Sequence, residues 1–214
     1  MAIHSYLGEL PYFNINLDKG YQMNSIAIKG YMRDIEFSHD VGEIEYNKAK
    51  IICPGINGKD DDLLIIRFKK YCNKYKEGDF VEFKGNLRSY STKDGDKSNV
   101  QIYIFTYFDL PETPCGEVDI DGRICKIGKL STTYSGKRYI HFTLANNIFT
   151  SSNKINSYIP CTAYGELAEE ISKLNVSDFV VLHGEFHSHT YKRKKDKEIM
   201  LAHEIIVKEY ELKN

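Results

Sequence analysis

The sequence predicts a mainly β protein built as two small barrels in tandem, each of five strands with one short helix. Three observations lead there. Apolar and polar residues alternate with period two along the hydrophobic stretches. Short charged or glycine-containing tips separate those stretches. The same landmarks return roughly ninety to a hundred residues further on, which is how an internal duplication looks.

Residues 1–23 fit neither repeat and read as an arm or an extra strand. The first barrel spans 24–110. It opens with N-S-I-A-I-K-G-Y (Asn24 to Tyr31), where Gly30 marks a sharp bend of the kind a small barrel needs. Alternation along the next strand puts Tyr46, Lys48 and Lys50 on one face. A helix is expected over Phe68 to Tyr75, with Phe68, Tyr71 and Cys72 on one side. E-G-D-F-V-E-F-K-G-N-L (Glu77 to Leu87) is the fourth strand. A charged tip over Thr92 to Ser98 leads to the closing strand V-Q-I-Y-I-F-T-Y-F.

Residues 111–116 are a linker, with two prolines and a glycine in L-P-E-T-P-C-G (Leu110 to Gly116). The second barrel, 117–214, repeats the order. E-V-D-I-D-G-R-I (Glu117 to Ile124) bends at Gly122, the counterpart of Gly30. The tip Y-S-G-K and the strand Y-I-H-F-T-L-A (Tyr139 to Ala145) follow. Then comes S-Y-I-P-C-T-A-Y-G-E-L-A-E, whose Pro160 suits an edge or a bulge. Leu167, Ile171 and Leu174 share one side of a helix over Glu166 to Leu174. V-S-D-F-V-V-L-H-G-E-F (Val176 to Phe186) matches Glu77 to Leu87, with Asp-Phe-Val at a strand start and a glycine six residues after the Asp. A tip over Lys192 to Glu198 and the strand I-M-L-A-H-E-I-I-V close the unit. A five-stranded barrel with a helix after strand three is the plan of the OB-fold.

Charge is balanced in the 214 residues, with 29 Lys and Arg against 30 Asp and Glu, net −1. No basic coat covers the surface, so any polyanion site must be a local groove. The 16 Tyr and 11 Phe, with no Trp, would supply the rings of such a groove. Five cysteines without a C-x-x-C pair argue against a disulfide framework and for a reducing interior. With neither a signal segment nor a membrane span, a soluble cytoplasmic protein is expected.

Catalytic signatures are missing: there is no P-loop and no G-x-S-x-G elbow, and no Cys–His pair is recognisable. His183, His187 and His189 lie close together, but no cysteine or carboxylate at a supporting spacing completes a metal site. Asp60 to Asp62 lack the spaced ligands of a calcium loop. No enzyme, no metal and no cofactor are expected.

The second barrel resembles the bacterial single-stranded DNA-binding protein family. The resemblance lies in D-G-R-I, Y-S-G-K-R-Y-I-H-F-T-L-A-N, I-P-C-T-A-Y-G-E-L-A-E and V-V-L-H-G-E-F-H-S-H-T-Y, in that order and spacing over most of 117–212. The first barrel enters only through the repeat. The resemblance implies non-catalytic, largely sequence-independent binding and protection of single-stranded DNA in replication, recombination or repair. It places base-stacking rings at or near Phe149, Tyr158, Tyr164 and Tyr191, where the family often has Trp. It also implies a homodimer presenting four OB-folds, with replication or recombination proteins as further partners. Many members carry a flexible tail with an acidic tip; this sequence stops at K-E-Y-E-L-K-N, which puts recruitment through such a tail in question.

Physical chemistry supports the same surface. Every base has a π face, so Tyr and Phe platforms bind without reading sequence, at about 1–3 kcal/mol per stack. Neighbouring cations neutralise phosphates and make binding salt-dependent. Cations and rings interleave at Arg123, Lys137, Arg138 and Tyr139, and again at Tyr191, Lys192 and Arg193. The first barrel offers Tyr46, Lys48, Lys50, Arg67, Lys69, Arg88 and Tyr90. Two plainer readings stand beside this: a strand tyrosine often only packs across strands, and a charged hairpin tip is often only solvated. A different functional class is also open, a replisome or primosome adaptor with little DNA binding, which balanced charge would suit.

Overall fold

The computed structural model describes residues 23–54, 61–70, 75–91, 98–107, 116–149, 154–193 and 196–213. Side chains of residues 90–107, 148–149 and 154 lie outside that description. Eleven strands and one helix make up the described elements. The first barrel holds β1 (Asn24–Val41), β2 (Ile44–Cys53), β3 (Asp62–Lys69), β4 (Phe80–Ser91) and β5 (Ser98–Tyr107). It closes in the order β1-β2-β3-β5-β4-β1, with β3 and β5 parallel and the remaining pairs antiparallel. The second holds β6 (Glu117–Ile127), β7 (Ser131–Thr132), β8 (Arg138–Phe149), β9 (Lys154–Tyr164), α1 (Glu166–Ile171), β10 (Phe179–Lys192) and β11 (Ile199–Lys213). It closes as β6-β8-β9-β11-β10-β6, again with one parallel pair, β9 with β11. This is the expected tandem pair of OB-fold barrels.

Period-two alternation builds the walls. In β8, Ile140, Phe142 and Leu144 point into the core; in β3, Leu64, Ile66 and Phe68 do the same. The buried apolar residues of both barrels form one continuous cluster. Burying each such side chain is worth about 1.5–3 kcal/mol.

The repeat is repeated in the bonding. Met32 N–H donates to the Asp79 carbonyl and Ile124 N–H to the Asp178 carbonyl, both at 2.9 Å. Each of those aspartates also accepts, through its carboxylate, the N–H of the residue three before it, Lys76 and Asn175, both at 2.8 Å. The residue just before each aspartate is left-handed: Gly78 at φ 91° and, in the copy, Ser177 at φ 86°. Gly30 and Gly122 stand where a facing strand crosses closely. A Cβ there would sit 2.3 Å from the Ile52 oxygen or 2.5 Å from the Ala145 oxygen, so no side chain fits.

The barrels are joined edge to edge. β1 and β6 pair antiparallel, with Ile26 opposite Val118. Those two residues are counterparts in the repeat, so a local two-fold passes between them. The other contacts between the barrels obey it: β3 meets β10, β4 meets β9 and β5 meets β11. Asn24 lies in this seam. Its amide donates to the Leu87 carbonyl (2.9 Å) and to Asn146 Oδ1 (2.8 Å), and its Oδ1 accepts from Leu87 N–H (2.8 Å).

Two expectations need correction. The helix expected from Phe68 does not start there: Phe68 and Lys69 end β3, and Phe68 is buried in its core row. An apolar residue in register with Leu64 and Ile66 gains more by extending the strand; residues 71–74 lie outside the description. The first strand runs far past Tyr31 to Val41, with register shifts between Arg33 and Glu36 and between Phe37 and His39. Residues 1–22 of the predicted arm (1–23) and linker residues 111–115 lie outside the described residues; Met23, its last residue, donates its N–H to the Asp121 carboxylate at 2.8 Å. Gly116 of the linker donates to the Ala27 carbonyl at 2.8 Å. α1 starts at Glu166 as expected but ends at Ile171, short of Leu174; Ala168 and Ile171 are its buried residues, with Leu167 and Leu174 partly buried against the core.

Candidate nucleic-acid interface

In the second barrel, alternation turns Tyr139, His141 and Thr143 of β8 outward. β9 turns Tyr158, Pro160, Thr162 and Tyr164 to the same side. Register sets Tyr139 opposite Tyr164, with ring centroids 6.3 Å apart. Lys137 Nζ lies 5.0 Å from the centre of the Tyr164 ring, a cation–π distance. His141 meets Tyr139 edge-on at 5.1 Å. Beyond β9, β11 contributes Glu204. β10 contributes His189, whose Nδ1 is 3.4 Å from Glu204, and Tyr191, 6.5 Å from the His189 ring. The outcome is a wall of flat rings with one cation over it, flanked by a polar cluster.

Tyr158 sits at the other end of the same strand, beside the seam, and is 45% exposed. Its N–H donates to Ser89 Oγ of the first barrel at 2.6 Å, so β4 helps set this end of β9.

The remaining cations differ in their commitments. Arg138 lies 3.8 Å from Glu169. Arg123 lies over Phe179 and donates to the Ser177 carbonyl at 2.8 Å, turned toward β10. Arg193 is gripped by Asp196 (2.5 Å) and Glu198 (2.6 Å) inside its own hairpin. Lys192 ends β10 and is exposed. Phe149 ends β8 opposite Lys154, and Tyr90 pairs with Asn99; their side chains lie outside the described residues, as do Lys194 and Lys195.

The first barrel gathers its candidates on the equivalent strands. Register sets Tyr46 opposite Lys69 and Lys48 opposite Arg67, with Lys50 next along β2. The Tyr46 ring stacks on His39 at 5.1 Å and 14°. Arg67 donates to His39 Nδ1 at 3.3 Å, and burial, with Arg67 behind it, lowers the His39 pKa. Lys48 meets Glu36 at 3.0 Å and Lys50 meets Asp34 at 2.5 Å. Such exposed pairs contribute about 0–1 kcal/mol, so a phosphate competes with them readily. Arg88 stands on β4, opposite Gln101.

Three histidines considered as ligands are paired with carboxylates. His183 Nδ1 lies 2.9 Å from Asp119, and His187 Nδ1 lies 3.0 Å from Asp62. His189, as noted, meets Glu204. Among the described residues no group of three or more His, Cys, Asp or Glu could hold a metal ion.

Residues 116–213 match the model of the single-strand binding protein family. That match spans the second barrel, a little under half of the chain. Solved structures place the whole architecture beside it. The wild-type single-stranded DNA binding protein from Thermus aquaticus is 14% identical, with TM-score 0.67, over 91% of this chain and 95% of that one. A deletion mutant of the same Thermus aquaticus protein gives 14% identity and TM-score 0.68, over 90% of this chain and 95% of that one. At that identity the likeness is one of fold, and it spans both barrels. The sequence matches no curated protein.

His39, Ser89, His141, Thr162 and Glu204 enter the face without having been singled out from sequence, and His189, weighed there only as a metal ligand, joins them. The signal for His141 and Thr162 was there: they share strand parity with Tyr139 and Tyr164. Glu204, His189 and Ser89 arrive from other strands, through pairings that local pattern does not specify.

Proposed function

We propose that the chain binds single-stranded DNA with little regard to sequence and protects it during replication, recombination or repair. Its role is non-enzymatic, as the match of the second barrel to the single-strand binding protein family supports. The carrying observation is the Tyr139–Tyr164 platform with Lys137 beside it, matched in the first barrel by Tyr46 among Lys48, Arg67 and Lys69 on the equivalent strands. Bases stack on the rings while cations meet phosphates. In the second barrel Tyr158, Tyr191, Lys192 and Arg138 extend this surface; in the first, Lys50 and Arg88 do so beside Tyr46. An adaptor without DNA binding would have no use for a ring-and-cation face built twice.

Each chain offers two barrels, and a homodimer offers four. Replication and recombination proteins are the natural partners of such a coat, and the cytoplasm its place. Titration of a fluorescent oligo-dT with the full chain tests the function. Submicromolar binding at low salt, weakening as salt rises, is expected; no binding at low salt overturns it. Light scattering reads the homodimer.

A further inference from the structure

Thr162 faces outward on β9 yet is fully buried, bonded between His141 of β8 and Glu204 of β11. An ionised carboxylate only accepts, so the Thr162 hydroxyl donates its one proton to Glu204. Thr162 Oγ1 is then an acceptor for His141 Nδ1, 2.7 Å away. This chain of bonds keeps the proton on Nδ1 and leaves Nε2 for another partner. A neutral ring presents an acceptor there; a protonated ring presents a charged donor. The His141 side chain is 63% exposed and that of Glu204 16%, so the imidazole is the outer member. Anything that settles on the Tyr139–Tyr164 platform meets the ring before the carboxylate.

We infer that His141 is a nucleic-acid contact of the second barrel, oriented by Glu204 through Thr162, and that its charge makes affinity for single strands rise as pH falls. The inference rests on the single-strand reading above. The groups around the ring come from every neighbouring strand. Tyr139 is on its own strand, Tyr164 on β9 with Lys137 over it, Glu204 on β11 and His189 on β10. On the β6 side, Cys125 Sγ bonds the Thr143 carbonyl and Lys126 stands opposite Thr143. Gly128, next to Lys129, donates its N–H to the His141 carbonyl.

The test is the affinity of the full chain for labelled oligo-dT from pH 8.5 to 5.5 at constant ionic strength. Across the series the parent's affinity rises about threefold to tenfold as pH falls, because a polyanion binds a charged ring in preference to a neutral one. His141→Gln flattens the profile. Thr162→Val keeps the buried shape, removes the hydroxyl and shifts the profile as well. His189→Gln and His39→Gln, run alongside, separate the other two histidines of the grooves. A His141→Gln profile parallel to the parent's overturns the contact. A flattened His141→Gln profile with an unmoved Thr162→Val profile overturns the orienting role of Glu204 and Thr162. Binding without any pH slope overturns this inference alone, whereas no binding at any pH overturns the single-strand reading itself.

Discussion

Tyr139 and Tyr164 are held as a pair by cross-strand register, and Lys137 is the cation seated over the Tyr164 ring. Replacing both tyrosines with Ala therefore removes two stacks at about 1–3 kcal/mol each. The expected loss in oligo-dT affinity is about thirtyfold or more, read by anisotropy, with the fold checked by circular dichroism. Unchanged affinity in a folded variant would reject the platform. Lys137→Gln should lower the slope of log affinity against log salt by about one, the share of a single phosphate contact. Arg193→Gln should change that slope far less, because Asp196 and Glu198 already neutralise the guanidinium.

The strands explain where substitutions will hurt the fold rather than the function. Gly122→Ala forces a methyl to within 2.5 Å of the Ala145 carbonyl oxygen, on backbone that cannot swing aside. A loss of about 2–4 kcal/mol in urea unfolding is expected, in the range of overpacked cores and strained backbone. Ser177→Gly should go the other way. Ser177 holds the left-handed turn that Gly78 holds in the first barrel, and relief of that strain is worth about 1 kcal/mol. A Ser177→Gly chain that melts no higher than the parent would show that the turn carries no strain. The element scale also shows why Phe68 misled: three residues of helical spacing cannot outweigh a strand row that is already buried.

At the scale of the whole molecule, the seam between barrels holds its own titration. Asp62, at the start of β3, accepts from Ser188 N–H (2.6 Å) and pairs with His187 on β10. Burial alone would raise the Asp62 pKa, but the His187 and Ser188 hydrogen bonds outweigh it and hold it below its ordinary value. The bond to Asp62 raises the His187 pKa against the effect of burial. A depressed carboxyl contributes stability that is lost as pH falls through its folded pKa. A raised imidazole contributes stability that is lost as pH rises through its folded pKa. The pair is therefore strongest between the ordinary carboxylate range, about 4, and the ordinary histidine value, about 6.5. His203, buried and bonded to the Leu63 carbonyl, has its pKa lowered by burial and acts in the opposite sense. The measurable quantity is a difference: His187→Gln should cost more stability at pH 6 than at pH 8.5. An equal cost at both would assign the pair no electrostatic part.

Read alone, the sequence determined the β character, the duplication, the bends at Gly30 and Gly122, the helix at Glu166 and the ring-bearing strands. All of these are written in local periodicity or in the repeat. In the sequence Lys137 and Tyr139 stood out as neighbours and Tyr164 through the family resemblance, but their meeting on one face comes from the β8–β9 register. Which cations stay available was not written there. Arg193 and Arg123 look equal to Lys137 as letters, but their partners come from a hairpin tip and from the start of β10. The local two-fold through Ile26 and Val118, the Ser89 support beneath Tyr158 and the Glu204–Thr162–His141 chain all join residues far apart in sequence. Pairings at that separation are set by barrel closure and burial, which act on the folded whole, and only the tertiary structure decides them.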